Sequence, residues 1–245
     1  MKSPAYQFRF YRDNLEAEGL YTLKVTVKES DLLILSDKEL NRSKVEEKLL
    51  RYRWEIEEYI EKDRRFLTAL KPIAVELNAA KIVKRMAKTA FKAQVGPMAA
   101  VAGAVAEFLG QDLLRMGCGE IIVENGGDIF IKTKRIRKVG IYSGKSHSWQ
   151  GLKLKIHPRQ TPCGICTSSG TVGHSLSFGQ ADAAVILARD AALADAVATA
   201  TANRVQTKED LASALRFARS IPGIEGVVII IQDNLVSWGK VEFTV

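Results

Sequence analysis

A two-residue alternation of apolar and polar side chains opens the readable part of the chain. Leu20-Tyr21-Thr22-Leu23-Lys24-Val25-Thr26-Val27 carries it and predicts a half-buried strand. Asp31–Leu35 predicts a second strand, with Lys28-Glu29-Ser30 as the hairpin turn between them. The period then lengthens. Val45, Leu49, Tyr52, Ile56 and Tyr59 recur at three- and four-residue steps, which predicts a helix from about Arg42 to Arg65. Ser43 is its expected N-cap, with Glu46 completing a capping box, and Pro72 breaks the pattern. Two further helices are expected over about Ala79–Ala93 and Pro97–Met116. The second is built of small residues from Met98 to Ala106; Gly103 in its middle costs ~1 kcal/mol relative to alanine, which close packing on a sheet would offset.

Beyond the helices, strands are expected at Glu120–Glu124, Asp128–Lys132, Val139–Tyr142 and Leu152–Ile156, arranged as an antiparallel meander. Thr161–Gln180 reads as a polar, glycine-rich, irregular loop. Ala181–Leu187 predicts another strand. Helices follow at about Ala191–Asn203 and Lys208–Ser220, the latter with Thr207 as N-cap. Val227–Gln232 and Leu235–Trp238 form a final hairpin around Asp233-Asn234. Strands, a block of helices, then more strands is an α+β order with a mixed, mainly antiparallel sheet. No repeat or linker divides the chain, so residues 1–245 are expected to form a single domain.

Composition narrows the class. Hydrophobic residues make up 47% and charged residues 26%, a balance that supports a sizeable core. No apolar run approaches the ~20 residues of a membrane span. Met1–Tyr11 interleaves Lys2, Gln7 and Arg9 with aromatics instead of forming a signal core. The expectation is a cytoplasmic protein without a membrane partner. Three cysteines, Cys118, Cys163 and Cys166, are too few and too odd for a disulfide framework. The net charge of +8 raises the question of nucleic acid. The excess lies in helix-like stretches such as Lys81–Lys92 and in the turn Lys132–Lys138, where solvated faces account for it. No aromatic–basic motif of RNA-binding type accompanies it, and a small anionic ligand fits the charge equally well.

Three segments could carry chemistry. In Glu124-Asn125-Gly126-Gly127-Asp128, two glycines let a ligand approach the backbone, flanked by the hydrogen-bonding side chains of Asn125 and Asp128; an ordinary Asn-Gly hairpin explains the same residues. In Cys163–Gly179, hydroxyls and glycines crowd around Thr167-Ser168-Ser169-Gly170, as an oxyanion requires, and His174 could act as acid, base or ligand orienter. Cys163 and Cys166 have CxxC spacing without a thioredoxin-type context or further zinc ligands. Cys166 is the better candidate for a reactive thiol, against the reading of a small buried hydrophobe. In Ala194–Thr199, Asp195 and Thr199 share a helix face otherwise lined by small apolar residues, a pairing suited to a hard cation such as Mg²⁺.

Together these segments resemble the ApbE superfamily, whose best-known members are FAD:protein FMN transferases. Gly126-Gly127-Asp128 resembles that family's glycine–glycine–acid turn. Thr167-Ser168-Ser169-Gly170 resembles its Thr-Ser-Gly loop, His174 falls in its histidine segment, and Ala194-Asp195 through Thr199 resembles its Ala-Asp-x-x-x-Thr helix. The resemblance implies an ApbE-like, T-fold-related α+β fold, Mg²⁺ on Asp195 and Thr199, and FAD or FMN beside the glycine turn. The likeness covers roughly Gly96 to Asn203. Ser175-Leu176-Ser177-Phe178 follows His174 where the family has Asp-Pro, and Val101-Ala102-Gly103 stands where it has Ala-Lys-Gly. The Gly164–Gly179 run is closer to a cytoplasmic, largely uncharacterised ApbE-like branch, associated with sulfide assimilation into homocysteine in anaerobes. Two functions stay open: a transferase-type enzyme, with His174 or Cys166 handling protons or sulfur, and a non-catalytic flavin- or nucleotide-binding module. A homo-oligomer or a stabilised partner enzyme would fit either.

Overall fold

The computed structural model describes residues 18–142, 148–170 and 179–244. Its centre is an eight-stranded sheet in which every neighbouring pair is antiparallel. The strands are β1 (Tyr21–Val27), β2 (Ser30–Ser36), β3 (Ile121–Asn125), β4 (Asp128–Lys132), β7 (Cys163–Ser168), β8 (Ala183–Ala188), β9 (Ile224–Ile231) and β10 (Asn234–Gly239), in that spatial order. A smaller sheet holds β5 (Arg137–Gly140), β6 (Lys153–Ile156) and β11 (Phe243–Thr244), with β6 in the middle. The helices are α1 (Arg42–Lys62), α2 (Arg65–Thr68), α3 (Lys81–Ala93), α4 (Val101–Arg115), α5 (Ala191–Ala202) and α6 (Leu211–Ser220).

Strand alternation gives the large sheet two apolar faces and therefore two cores. One face, with Val25, Ile34, Val123, Phe130, Ile186 and Ile229, is covered by the helices. The other, with Leu35, Ile131, Ile165, Val185 and Ile230, is covered by Val139, Leu154 and Ile156 of the small sheet. The expected α+β class with a mainly antiparallel sheet and packed helices is what the chain forms. The α1 stripe of Val45, Leu49, Tyr52, Ile56 and Tyr59 is buried as its spacing demands.

Four local expectations are corrected. The N-cap of α1 is Asn41, whose Oδ1 accepts the Lys44 N–H at 3.1 Å; Glu46 pairs with Arg42 instead of closing a box with Ser43. That helix stops at Lys62, and Arg65–Thr68 forms a separate turn. The meander runs only through β3 and β4, after which β5 and β6 leave for the small sheet and β4 pairs with β7. The largest correction is β7 itself, a central strand inside the stretch expected to be irregular. No single helix among the described residues is long and apolar enough to cross a membrane. α3 and the Pro97–Arg115 segment would pass only together, and a 103° bend separates them.

Candidate functional site

The β3–β4 connection is the two-residue turn Gly126-Gly127, with φ of 68° and 100° and Asn125 opposite Asp128. Positive φ at both central positions is a tight hairpin geometry that glycine adopts without strain. Glu124 braces it, its Oε1 accepting the Gly127 N–H at 2.8 Å. Thus the segment is a hairpin, and the same hairpin delivers side chains. Alternation sends Asn125 and Asp128 to the helix-covered face, alongside Val123 and Phe130. On β7 it sends Cys166 and Ser168 to that face and Thr167 to the opposite one. The hydroxyl run therefore does not act as one cradle: Ser168 faces the helices with its Oγ buried and without a partner among the described residues, while Thr167 contributes its backbone N–H to the Asp128 carboxylate. Ser169 and Gly170 are half-buried beyond the strand end.

From above, α5 brings Asp195 onto the same spot. Its carboxylate accepts the Gly103 N–H at 2.9 Å and also the Ala102 N–H, so it caps α4, whose own N-terminus has no side-chain cap. Gly103 makes this approach possible, since a Cβ there would sit 2.3 Å from the Ala191 carbonyl oxygen and 2.8 Å from the Asp195 Cβ. The expected packing on a sheet is corrected: Gly103 lies in the first turn of α4 and packs closely against helix α5. Asn125 completes the junction by donating from Nδ2 to the Ala102 carbonyl at 3.2 Å. Thr199 follows Asp195 by one helical turn and is half-buried.

Asp128 and Asp195 are both buried, and no Lys or Arg pairs with either among the described residues. Burial, then the charge of Asp195, holds the Asp128 carboxyl well above the usual carboxylate range. Burial pushes Asp195 up to about 7, opposed by the Gly103 and Ala102 N–H groups. Two such carboxyls retain a proton between them near neutral pH. One Asp128 oxygen, Oδ1, has no hydrogen-bond partner among the described residues. Cys166 is fully buried, its Sγ 3.3 Å from the Ala191 carbonyl oxygen and hydrogen-bonded to Asp128; burial, then the two carboxylates, pushes its thiol pKa well up. That environment favours the protonated thiol over the nucleophilic thiolate.

His174 lies outside the described residues. The described residues on either side of it, Gly170 and Gly179, lie against each other. Gly170 donates to the Ala181 carbonyl at 2.8 Å, and a Cβ on Gly170 would lie 1.9 Å from the Gly179 carbonyl oxygen. Gly179 in turn abuts the Ala202 carbonyl at the C-terminal end of α5.

A divalent cation fits the donor set in kind. Among the described residues no three His, Cys, Asp or Glu side chains form a ready metal cluster. Mg²⁺, however, commonly takes one or two carboxylates and completes its shell with water and phosphate oxygens, and two buried carboxyls close enough to feel each other's charge are such a set in kind.

Sequence reasoning missed a second acidic group at the α4–α5 seam. Glu107 accepts the Ala192 N–H at 3.2 Å and Gln111 Nε2 at 3.0 Å, and lies 3.8 Å from Arg85. Arg85 is committed to Asp190, the N-cap of α5. Burial, then the charge of Asp190, raises Glu107 to about 8. The available signal was a lone acid inside the apolar run Val101–Leu109.

This layering is the ApbE-like fold. The flavin transferase ApbE from Vibrio cholerae aligns with a TM-score of 0.59 over 91% of this chain and 97% of that one, at 13% identity. The apo flavinyl transferase ApbE of Pseudomonas stutzeri aligns with a TM-score of 0.59 over 90% and 94%, at 10% identity. At such identities the likeness defines the fold. Sequence defines the family: a family model described as "AbpE bacteria" matches residues 12–242, and the chain belongs to that family. UPF0280 proteins are relatives. That of Methanocaldococcus jannaschii is 40% identical over 223 residues, covering 89% of this chain and 90% of its own length. That of Methanococcus aeolicus is 42% identical over 224 residues, with coverage of 89% and 90%. The recognised ApbE-like membership thus holds for nearly the whole chain, not only for Gly96–Asn203.

Proposed function

We propose that this chain binds a phosphorylated flavin nucleotide, FAD or FMN, or a similar anion, together with Mg²⁺, and acts as a transferase-type enzyme. The observation that carries the reading is the Asp128–Asp195 pair: two buried carboxyls without a basic partner, joined to a glycine turn and to backbone N–H groups at a helix start. Asp195 and Thr199 would hold the cation, with Asp128 beside them. Bound there, Mg²⁺ would supply positive charge against the ligand's phosphate oxygens. Asn125, Gly126 and Gly127 would orient the ligand by hydrogen bonds and close backbone approach. Ser168, Ser169 and Gly170 would meet the anion from the β7 end, with Thr167 acting through its backbone.

His174 would move protons. Gly179 abuts Ala202, about 10 Å along α5 from Asp195, and four extended residues reach about 13 Å. Chain length therefore permits the contact. Cys166 would enter sulfur chemistry only after losing its proton, which its present surroundings resist. A link to sulfide assimilation into homocysteine rests on the branch resemblance. That proteins of the same fold are flavin transferases supports the ligand class. Residues 1–245 are taken as one domain, which the single eight-stranded sheet from Tyr21 to Gly239 supports. A cytoplasmic location is kept as part of the proposal.

The second reading is a flavin- or nucleotide-binding module without turnover. The protonated, buried Cys166 and the alanine at 102 in place of the family's lysine favour it. Thermal unfolding with FAD or FMN, each with and without MgCl₂, decides about binding. A shift requiring both components supports the proposed site, and release of AMP or loss of FAD over time separates enzyme from module. No shift with any combination removes both readings.

A further inference from the structure

The charge excess is not spread evenly, and where it gathers the surface is also apolar. Residues 62–93 contain two acids, Asp63 and Glu76, and both are engaged, by Arg65 and Lys62. Arg85 is taken up by Asp190. Arg64, Lys71, Lys81, Lys84, Lys88 and Lys92 are exposed and have no acidic partner among the described residues. At 100° per residue, Lys81, Lys84, Lys88 and Lys92 occupy one narrow arc of α3, opposite the stripe of Ile82, Val83, Met86 and Ala90 that packs into the core.

Three large exposed apolar side chains belong to α3 or to the segments that meet its two ends. Phe91, 66% exposed, lies at the edge of the lysine arc, and Leu77, 95% exposed, sits at the N-terminal end, where Lys84 Nζ donates to the Leu77 carbonyl at 3.1 Å. Leu70, 61% exposed, lies at the far end; a Cβ on Gly96, just past α3, would come within 3.3 Å of the Leu70 Cα. A lysine row about 17 Å long thus has exposed apolar side chains near both ends.

We infer that this face of α3 lies on the surface of an anionic lipid bilayer, without crossing it. The choice of occupant follows from the residue types. Lysine is depleted from protein–protein interfaces, which prefer arginine and aromatics. Single-stranded nucleic acid pairs its basic grooves with aromatic side chains on which bases stack, whereas two of the three apolar side chains here are leucines. Headgroup phosphates attract lysines, and leucine and phenylalanine enter the boundary just beneath them, which is how an interfacial helix binds. This inference stands apart from the flavin site, which lies on the other side of the helical layer, toward the sheet.

The test is co-sedimentation of the full chain with phosphatidylcholine vesicles and with phosphatidylcholine containing one quarter phosphatidylglycerol. Wild type is expected to bind the anionic vesicles roughly tenfold or more better than the neutral ones, with the difference shrinking at high salt. Lys84→Glu with Lys88→Glu, and separately Leu77→Ser with Phe91→Ser, are each expected to lower binding roughly tenfold at unchanged Tm, since these side chains are exposed. Equal binding to both vesicle types overturns the inference, as does full retention of binding in both variants. So does capture by single-stranded RNA or an acidic peptide without capture by anionic vesicles.

Discussion

Two kinds of buried carboxylate coexist in this molecule, and the contrast separates scaffold from site. Asp112 on α4 is met by Lys48, Arg51, Tyr52 and Arg115, and Glu120 by Arg137 and Thr133. Both carboxyls are held below their ordinary range by these partners, against the opposing effect of burial. Asp128 and Asp195 are buried as deeply with only N–H and S–H donors, and both are raised. The first pair locks α1 to α4 and β5 to the large sheet. The second leaves negative charge unbalanced where a turn, a strand end and two helices converge. Folding gains nothing from that imbalance, whereas a cation-dependent ligand site does.

The largest effect expected on the scaffold side is from Arg137→Ala. It strands Glu120 in a setting where both side chains are nearly inaccessible, and should destabilise the fold by about 3–5 kcal/mol in urea unfolding. Gly103→Ala drives a methyl into the Ala191 carbonyl and should cost about 2–3 kcal/mol. Asp195→Asn has the opposite sign. It keeps an acceptor for the α4 N–H groups but removes the charge, so the ligand-free protein should gain on the order of 2 kcal/mol at pH 8 while losing any response to Mg²⁺. Asn41→Ala removes only a cap and should cost about 1 kcal/mol.

The same contrast fixes the pH dependence. Asp195 has a raised folded-state pKa, so its contribution is full below the unfolded value of 3.8 and is lost as pH rises toward about 7. Glu107 extends that loss toward about 8. Asp112 and Glu120 act in reverse: their contribution is present above their unfolded values and disappears on acidification below them. Asp128, raised by burial and by the charge of Asp195, adds to the same loss. Stability of the ligand-free protein should therefore fall between about pH 4 and 8, and Asp195→Asn should make the fall below about pH 7 shallower, by removing its own titration and relieving Asp128, while Glu107 keeps its share. An unchanged slope in that variant would place the titration elsewhere.

Much of the frame was legible because it is written locally. The α1 stripe, the β3–β4 hairpin and the terminal hairpin follow from period and turn residues alone. β7 was not, because its helix-facing positions are Gly164, Cys166 and Ser168, small so that α5 can sit on them: a Cβ at Gly164 would lie 2.3 Å from the Ala191 Cα. Strand signals rest on bulky β-branched side chains, which that packing forbids. The residue types of the site were also readable, but not their partners. Asp195 meets Gly103 across 92 residues of sequence, and the division of Thr167 from Ser168 between two faces appears only once β7 is known to be a strand.

The central claim is that Asp195 belongs to a cation-dependent anion site, and titration of MgCl₂ into protein with FAD at pH 8, followed calorimetrically, tests it most directly. The account predicts a saturable heat in the wild type that vanishes in Asp195→Asn, while the variant still unfolds cooperatively. Equal heats in both proteins, or none in the wild type, would contradict it.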